Sequence, residues 1–292
     1  MKPLLEVLQS GAAYLAKRGV DEARLNMEHL LAHVLQCRRM DLYLRFDQVI
    51  KEPDLAALRD LLKRRGDGEP LQHLLGTVEF MGHELVCDHR ALVPRPETER
   101  LVEIIIEQVG KVKPLRVLDM ATGSGCIGLS LAKAWPGAAT TLADISEEAL
   151  ELARLNASRL GLDSQVRLLR TDLFEKLEGQ TFDVVVANLP YIPNGEIAAL
   201  SREVRRDPIL ALDGGVEGMD LVVRLVEQVP AFLVEGGLLA LEGGHDQGHR
   251  TADLCTAQGL GEVRVVSDLA GVERFVLARK SPSSAGNPVT PE

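Results

Sequence analysis

Apolar residues recur at helical spacing through the first 65 residues of the chain. Three stripes are visible: Leu4, Leu5, Leu8, Ala12 and Leu15; Leu25, Met27, Leu30, Leu31, Val34 and Leu35; and Leu55, Leu58, Leu61 and Leu62. This period predicts amphipathic helices that bury one face each. No clear strand pattern lies within residues 4–65, so we expect a small helical bundle whose leucine stripes form its core.

The pattern changes over residues 74–93, where apolar residues flank Met81-Gly82 and predict a β-hairpin. A new helix is expected to start within Pro94–Glu99, because a proline precedes its first turn and acids lie within that turn. We therefore divide the chain into a helical domain (1–72), a hairpin linker (73–95) and a second domain (96–280). The polar, proline-rich tail (281–292) is predicted to be disordered.

Strand and helix periods alternate from residue 115 onward. Strands are predicted at 115–120, 139–143, 165–169, 182–187, 237–241, 263–266 and 275–278, and helices at 127–134, 147–160, 219–233 and 248–258. Repeated strand–helix–strand units are typical of an α/β domain with a mostly parallel sheet and helices on both faces.

Charge is distributed unevenly along the chain. The formal net charge is −10, yet residues 1–95 hold 14 basic and 14 acidic side chains, so the whole deficit lies in the later residues. Because nucleic-acid binding normally uses clustered Lys and Arg, this disfavours nucleic acid as the direct substrate. No stretch is long and apolar enough to span a membrane, and the N-terminus has no signal-peptide pattern, so we expect a cytoplasmic protein.

The cysteine and histidine positions predict neither disulfides nor a metal site. Cys37, Cys87, Cys126 and Cys255 are far apart and form no Cys-x-x-Cys pair, which is typical of buried thiols in a reducing compartment. His83, Cys87 and His89 would share one face of a strand, and a folded hairpin accounts for them without a metal. The same holds for His245 and His249 at helical spacing.

A glycine-rich segment follows the first strand of the second domain and opens a helix. It reads Leu-Asp-Met-Ala-Thr-Gly-Ser-Gly-Cys-Ile-Gly over residues 118–128, and the expected cofactor-binding residues are Asp119, Ala121, Thr122, Gly123, Ser124 and Gly125. Glycines allow a tight turn and close approach of a ligand. The pattern alone would also suit NAD, FAD or an ordinary strand-to-helix turn. Asp119 favours S-adenosylmethionine, because a carboxylate can meet its ammonium group, whereas a dinucleotide would bring pyrophosphate.

Two later acids extend this expected cofactor site. Asp144 ends the next strand, about 20 residues beyond the glycine turn, where a carboxylate can accept hydrogen bonds from ribose hydroxyls. A helix N-cap is the alternative, and Ser146 is placed to take that role. Asp172, with Leu173 beside it, follows the third strand and is expected to meet the adenine, although an exposed loop acid is an equal alternative.

Asn188-Leu189-Pro190-Tyr191 leaves the fourth strand and carries the expected catalytic residues. Pro190 biases Leu189 toward extended backbone and so aims its carbonyl. The Asn188 side-chain oxygen and the Leu189 carbonyl would then form two acceptors for a planar NH2 group. Its nitrogen would face the methyl of the cofactor, which Asn188 is also expected to contact.

Taken together, these motifs resemble the HemK/PrmC family, the N5-glutamine methyltransferases of peptide chain release factors. Further matching segments are Pro94–Glu99, Ala211-Leu212-Asp213-Gly214-Gly215, Leu241-Glu242-Gly243-Gly244 with Gln247, and Asp268-Leu269-Ala270-Gly271. The resemblance implies a Rossmann-like S-adenosylmethionine methyltransferase sheet joined by a β-hairpin to an N-terminal helical-bundle domain. It also implies that residues 121–125 and Asp144 hold the cofactor, and that residues 188–191 hold a glutamine of the release factor's Gly-Gly-Gln loop. The neutral front domain is expected to recognise that protein substrate.

One residue departs from the family pattern, because position 189 is leucine where the family usually has proline. Asn-Leu-Pro-Tyr resembles the motif of ribosomal RNA adenine dimethyltransferases, so an N6-adenine methyltransferase acting on ribosomal RNA is the alternative. The helical front domain, the Pro-Arg-Pro segment and the acidic charge oppose it, and leucine keeps the backbone carbonyl. A cofactor-sensing binding module and a nicotinamide oxidoreductase are further alternatives, of which the second leaves residues 188–191 unexplained.

Overall fold

The computed structural model describes residues 2–110 and 115–282, which form two compact units. The first contains the residues up to Val78, together with Cys87–His89 and Ala199–Asp207. The second contains the other described residues. Most of the tail predicted for 281–292 lies outside the described residues.

The first unit is a helical bundle, as predicted. Its helices are α1 (Leu4–Lys17), α2 (Ala23–Val34), α3 (Glu52–Gly66) and α4 (Leu71–Leu75), with a 3-10 helix at Arg39–Leu44. The leucine stripes form its core, except that Leu5 is exposed and Leu25 lies outside the core cluster. Gly11 lets α1 approach α2 closely, because a Cβ there would lie 2.3 Å from the Met27 sulfur. One prediction was wrong: β1 (Lys2–Pro3) pairs with β2 (Val49–Ile50), a ladder too short to leave a period in the sequence.

Ala199–Asp207 belongs to this first unit although it follows the fourth strand of the second. Arg65, 5% exposed, forms an ion pair from Nη2 to Glu203 Oε2 at 2.6 Å, and its Nε donates to Asn26 Oδ1 at 2.7 Å. Arg202 Nη2 donates to the Arg18 carbonyl at 2.6 Å. The division predicted from the sequence has this segment in the second domain.

The predicted hairpin is confirmed. Strands β3 (Thr77–Phe80) and β4 (His83–Val86) form a two-stranded sheet. Met81 and Gly82 between them both have positive φ, of 50° and 70°. This is the backbone of a type I′ turn, whose twist matches that of paired strands.

The second unit is built on a seven-stranded sheet, ordered β10-β11-β9-β8-β5-β6-β7. Its strands are β5 (Arg116–Met120), β6 (Ala139–Asp144), β7 (Val166–Arg170), β8 (Phe182–Asn188), β9 (Leu233–Glu242), β10 (Leu260–Ser267) and β11 (Glu273–Lys280). The five strands from β9 to β7 are parallel, and β11 runs antiparallel to β9 and β10. The mostly parallel sheet predicted from the sequence is thereby confirmed. Because β5 pairs with both β6 and β8, the strand order reverses at β5, where α/β sheets bind ligands.

The α-helices of this unit within the described residues are α5 (Pro96–Val109), α6 (Cys126–Ala134), α7 (Glu147–Arg159), α8 (Asp220–Gln228) and α9 (Gly248–Ala257). The helix predicted for 219–233 is too long. It ends at Gln228 because Pro230 cannot continue an α-helix, and a 3-10 turn (Val229–Ala231) leads into β9. Within the described ranges, no helix has the length and hydropathy needed to cross a membrane.

Candidate active site

A cavity of about 190 Å³ lies where β5, β6 and β8 end, and all its walls belong to the second unit. Of the residues predicted to form the site, those that line it are Ala121, Thr122, Gly123, Ser124, Asp144, Asp172, Leu173, Asn188, Leu189 and Pro190. Asp119, Gly125 and Tyr191 do not line it. Chain segments far apart in the sequence thus converge at the switch point of the sheet.

The turn after β5 uses left-handed backbone three times, at Ala121 (φ 56°), Gly123 (φ 55°) and Gly125 (φ 84°). The Thr122 N–H donates to the Ala143 carbonyl at 3.0 Å, which ties the turn to the end of β6. A left-handed alanine costs roughly 1–3 kcal/mol and persists where the surrounding structure imposes it. The strain at Ala121 is therefore consistent with a turn shaped for a ligand.

Asp144 supports this turn from the end of β6. Its Oδ2 accepts from the Gly123 N–H at 2.9 Å, and its Oδ1 accepts from the Ser146 N–H at 2.8 Å. Burial raises the pKa of Asp144, and these backbone hydrogen bonds oppose the rise. Ser146 caps α7, as the sequence indicates, by accepting from the Ala149 N–H at 3.2 Å. Asp144 is therefore free of the capping role and lies in the cavity wall.

Asp119 lies beneath the turn rather than in the cavity wall, with 0% of its surface exposed. Its Oδ2 accepts from the Thr122 hydroxyl at 2.6 Å and from the Gly128 N–H at 2.8 Å. Its Oδ1 has no hydrogen-bond partner among the described residues. Burial raises the pKa of Asp119 to about 7. The observed contacts join the turn to α6, and direct contact with a cofactor ammonium stays a prediction.

Gly128 is needed for this arrangement. A Cβ at this position would lie 2.2 Å from Leu142 Cδ2 and 2.9 Å from Asp119 Oδ2. Only glycine therefore lets the first turn of α6 approach β5 and β6 closely enough to donate to Asp119.

Asp172 and Leu173 line the cavity beyond β7. Asp172 Oδ2 pairs with Arg224 Nη2 at 2.9 Å, and Arg224 also lines the cavity. Leu173 is buried with φ 45°, and its carbonyl accepts from the Thr171 hydroxyl at 3.1 Å. Asp172 is thus a paired acid of the cavity wall, and Arg224 is a wall residue that no pattern in the sequence indicates.

The segment after β8 is held by a second loop. The Ile192 N–H donates to the Leu212 carbonyl at 3.0 Å, and the Gly214 N–H donates to the Ile192 carbonyl at 2.9 Å. A third backbone bond joins Asn194 to Gly215 at 2.9 Å. The Ala-Leu-Asp-Gly-Gly segment noted in the sequence therefore holds the segment after Asn188 in place through backbone hydrogen bonds.

Gln247 adds a side-chain clamp to the same segment. Its Nε2 donates to the Tyr191 carbonyl at 2.9 Å and to the Gly218 carbonyl at 3.3 Å, while its Oε1 accepts from the Gly244 N–H at 2.9 Å. Gln247 is only 5% exposed. A buried side chain that satisfies three backbone groups fixes the loops it joins, so Gln247 positions the segment without lining the cavity.

The surroundings of Asn188 include two buried polar groups. Asn188 Nδ2 donates to the Thr98 hydroxyl on α5 at 3.4 Å. Glu242, the partner of Asn188 across β8 and β9, is 3% exposed. Burial raises the pKa of Glu242 to about 7, while hydrogen bonding from Thr98 and Asn188 opposes that rise. The sequence alone indicates no role for Thr98 or Glu242, because it does not reveal their burial beside Asn188.

Among the described residues, no group of three or more His, Cys, Asp and Glu side chains is placed to hold a metal ion. The four cysteines are free thiols. Cys126 begins α6 beside the cavity, and burial raises its pKa to about 12. A thiol with so high a pKa is not a thiolate nucleophile at neutral pH.

Comparisons with known proteins cover both units. Residues 6–76 match the PrmC N-terminal domain, and residues 97–204 match the methyltransferase small domain. The chain is 42% identical to the release factor glutamine methyltransferase of Deinococcus radiodurans, over 95% of this chain and 99% of that protein. It is 39% identical to the Geobacter sulfurreducens protein of the same name, over 94% and 95%.

A similar fold occurs in the T. thermophilus 16S rRNA N2 G1207 methyltransferase, solved with AdoMet and guanosine. The TM-score is 0.52 at 20% identity, covering 70% of this chain and 49% of that one. Since that enzyme acts on RNA, the similarity of fold does not by itself indicate whether the substrate is protein or RNA.

Proposed function

Because the chain belongs to the release factor glutamine methyltransferase family, we propose that it methylates a glutamine side-chain amide in peptide chain release factors. The methyl donor is S-adenosylmethionine. The observation that carries the proposal is the joint presence of Asn188 and Leu189 in one cavity wall with the glycine turn and Asp144. Asn188 and Leu189 suit a planar amide as the methyl acceptor. The glycine turn and Asp144 suit a methyl donor that contains a nucleoside.

The chemistry of the cavity wall fits this cofactor. Asp144 offers a carboxylate suited to a ribose diol, and the left-handed turn at Gly123 exposes backbone to a ligand. Asp172 and Leu173 lie one strand farther, where we assign the adenine. When bound, S-adenosylmethionine supplies an electrophilic methyl group on a positively charged sulfur. Asp119 supports the turn, and its buried, unpartnered Oδ1 is the acceptor that would favour the ammonium group of the bound cofactor.

Residues at the end of β8 hold the acceptor in this proposal. A carboxamide nitrogen is a weak nucleophile, because its lone pair is delocalised into the carbonyl. Asn188 Oδ1 and the Leu189 carbonyl accept its two hydrogens, which fixes the nitrogen and increases its electron density. Methyl transfer needs the reacting atoms in line at about 3–3.5 Å, so this positioning is the main contribution of the chain.

No general base is required beside the acceptor. The carboxylates in the described cavity wall are those of Asp144, at the end of β6, and Asp172, just after β7. Both strands lie on the far side of β5 from Asn188. The amide proton becomes far more acidic once the nitrogen carries the methyl group. It can then leave to solvent as the product departs.

We further propose that the first unit recognises the protein substrate and that the protein acts in the cytoplasm, where translation takes place. The balanced charge of residues 1–95 supports protein rather than nucleic acid as the partner of this unit.

The decisive experiment is mass spectrometry of a purified release factor after incubation with this protein and isotopically labelled S-adenosylmethionine. We expect one methyl group on the Gly-Gly-Gln glutamine, and none when that glutamine is replaced by alanine. Ribosomal RNA is the parallel substrate, because Leu189 matches the adenine-directed motif. Methylated adenine together with unmodified glutamine would overturn the proposal.

A further inference from the structure

Glu242 is a buried carboxyl group whose position the proposed chemistry does not explain. It ends β9 and is the register partner of Asn188 at the end of β8. Paired residues on parallel strands direct their side chains to the same face of the sheet, with the strands about 4.8 Å apart. Glu242 Oε2 has no hydrogen-bond partner among the described residues. An isolated buried carboxyl is costly, so a fold without further demands would place an apolar residue here.

Thr98 connects this carboxyl to the site. It is buried, lines the cavity from α5, and accepts a hydrogen bond from Asn188 Nδ2 at 3.4 Å. The Thr98 hydroxyl oxygen accepts the hydrogen bond from Asn188, so its hydrogen remains available to donate to the Glu242 carboxylate. Thr98 and Asn188 both stabilise the charged form of Glu242.

An asparagine amide can occupy the same space in two orientations, with oxygen and nitrogen exchanged. The proposed reaction needs its oxygen toward the substrate, because an NH2 group there would repel the substrate's own NH2. A carboxylate accepts hydrogen bonds and cannot donate them. Placed behind the amide, it selects the orientation in which Nδ2 points inward and Oδ1 points into the cavity.

We propose that Glu242 is a positioning residue that acts through Thr98 to fix the orientation of the Asn188 amide. The role rests on the proposed function, since it matters only if Asn188 Oδ1 accepts the substrate amide. The charged form of Glu242 is the active one, because a protonated carboxyl can donate to Asn188 Oδ1 and stabilise the wrong orientation.

Several charged or titratable groups surround Glu242. Arg274 on β11 favours its charged form, whereas Glu97 on α5 disfavours it. Tyr191 and Cys126 lie near enough for Glu242 to raise their own pKa values. With the Glu242 pKa at about 7, the turnover number should fall as the pH drops through neutrality.

The experiment compares the Glu242→Gln variant with the parent protein, using labelled methyl transfer to a release factor. A glutamine has the same shape but can donate as well as accept, so it no longer selects one orientation. We expect kcat to fall about tenfold or more, within the range that misplacement of a reacting group produces. Cofactor affinity by calorimetry should stay unchanged, and the loss of rate below pH 7 should disappear. The matched control is Glu273→Gln, which removes an exposed carboxylate from β11 and should keep the parental rate and pH profile.

A second pair of variants guards against misfolding of the first. Thr98→Val removes the hydroxyl at nearly constant volume, while Thr98→Ser restores it. We expect Val to reduce kcat and Ser to retain it, at equal cofactor affinity. Parental kcat and pH profile in Glu242→Gln, or equal rates for the Val and Ser variants, would overturn the positioning role. Absence of glutamine methylation by the parent protein would instead overturn the proposed function, so the two failures are distinguishable.

Discussion

Replacing Gly218 by alanine tests whether the placement of the Asn188–Tyr191 segment controls methyl transfer. Gly218 has φ 71°, and a Cβ there would lie 2.2 Å from the Tyr191 carbonyl oxygen and 2.8 Å from Gln247 Nε2. Non-bonded heavy atoms pack at about 3.5 Å, so the carbonyl would have to withdraw by roughly 1 Å. A displacement of this size near the reacting atoms can cost about 10²-fold in rate. We expect kcat to fall by that order, with cofactor affinity unchanged because Gly218 does not line the cavity.

The matched control is Gly236→Ala. Gly236 has nearly the same backbone, with φ 74°, but no described atom lies within 4 Å of its added Cβ. Both variants carry the cost of a left-handed alanine, roughly 1–2 kcal/mol, and thermal unfolding should register it in each. Only Gly218→Ala should lose rate in the labelled methyl-transfer assay. A parental rate in Gly218→Ala, or an equal loss in both variants, would show that the clamp around Tyr191 does not govern the chemistry.

The remaining predictions concern Asn188, Leu189 and Asp119. Asn188→Ala should cut kcat by about 10²-fold or more, while calorimetry detects normal cofactor binding. Full activity of this variant would exclude the two-acceptor mechanism. Asn188→Asp should keep partial activity. Leu189→Pro should keep the parental rate, since the backbone carbonyl at position 189 is retained. A loss of rate above tenfold would contradict the proposed role of that carbonyl. The pKa of Asp119 is raised from 3.8 to about 7 by burial, so this group's contribution to stability falls as the pH rises from about 4 to 7. Relative to Asp119→Asn, the parent should lose on the order of 4 kcal/mol of unfolding free energy across that interval; denaturation curves in which the difference stays constant with pH would contradict this.

The architecture of the second unit could be predicted because its strands are short apolar or alternating segments and its helices repeat apolar residues at helical spacing. The turn from β5 to α6 carried the strongest signal, since glycines at 123, 125 and 128 meet backbone and packing demands that leave few substitutes. The end of α8 could not be predicted from periodicity, because the apolar residues on both sides of Pro230 continue one helical period. Proline overrides periodicity at that point.

The site could be predicted only as far as residues adjacent in sequence to the strand ends. Asp119 and Asp144 are both acids at strand ends, and only the three-dimensional structure distinguishes a carboxylate beneath the turn from one in the cavity wall. Glu242 and Arg224 reach the site from elements far away in the chain. Their roles depend on strand order and burial, which a single sequence does not contain.

The membership of Ala199–Asp207 in the helical unit has a consequence for protein engineering. A chimera that exchanges residues 1–76 alone would replace Arg65, the ion-pair partner of Glu203. It would also replace Arg18, whose carbonyl accepts a hydrogen bond from Arg202. The transferable module is therefore discontinuous, consisting of the N-terminal helices together with this short excursion from the loop after β8. Libraries meant to redirect such an enzyme to new protein targets should recombine the two segments as one block.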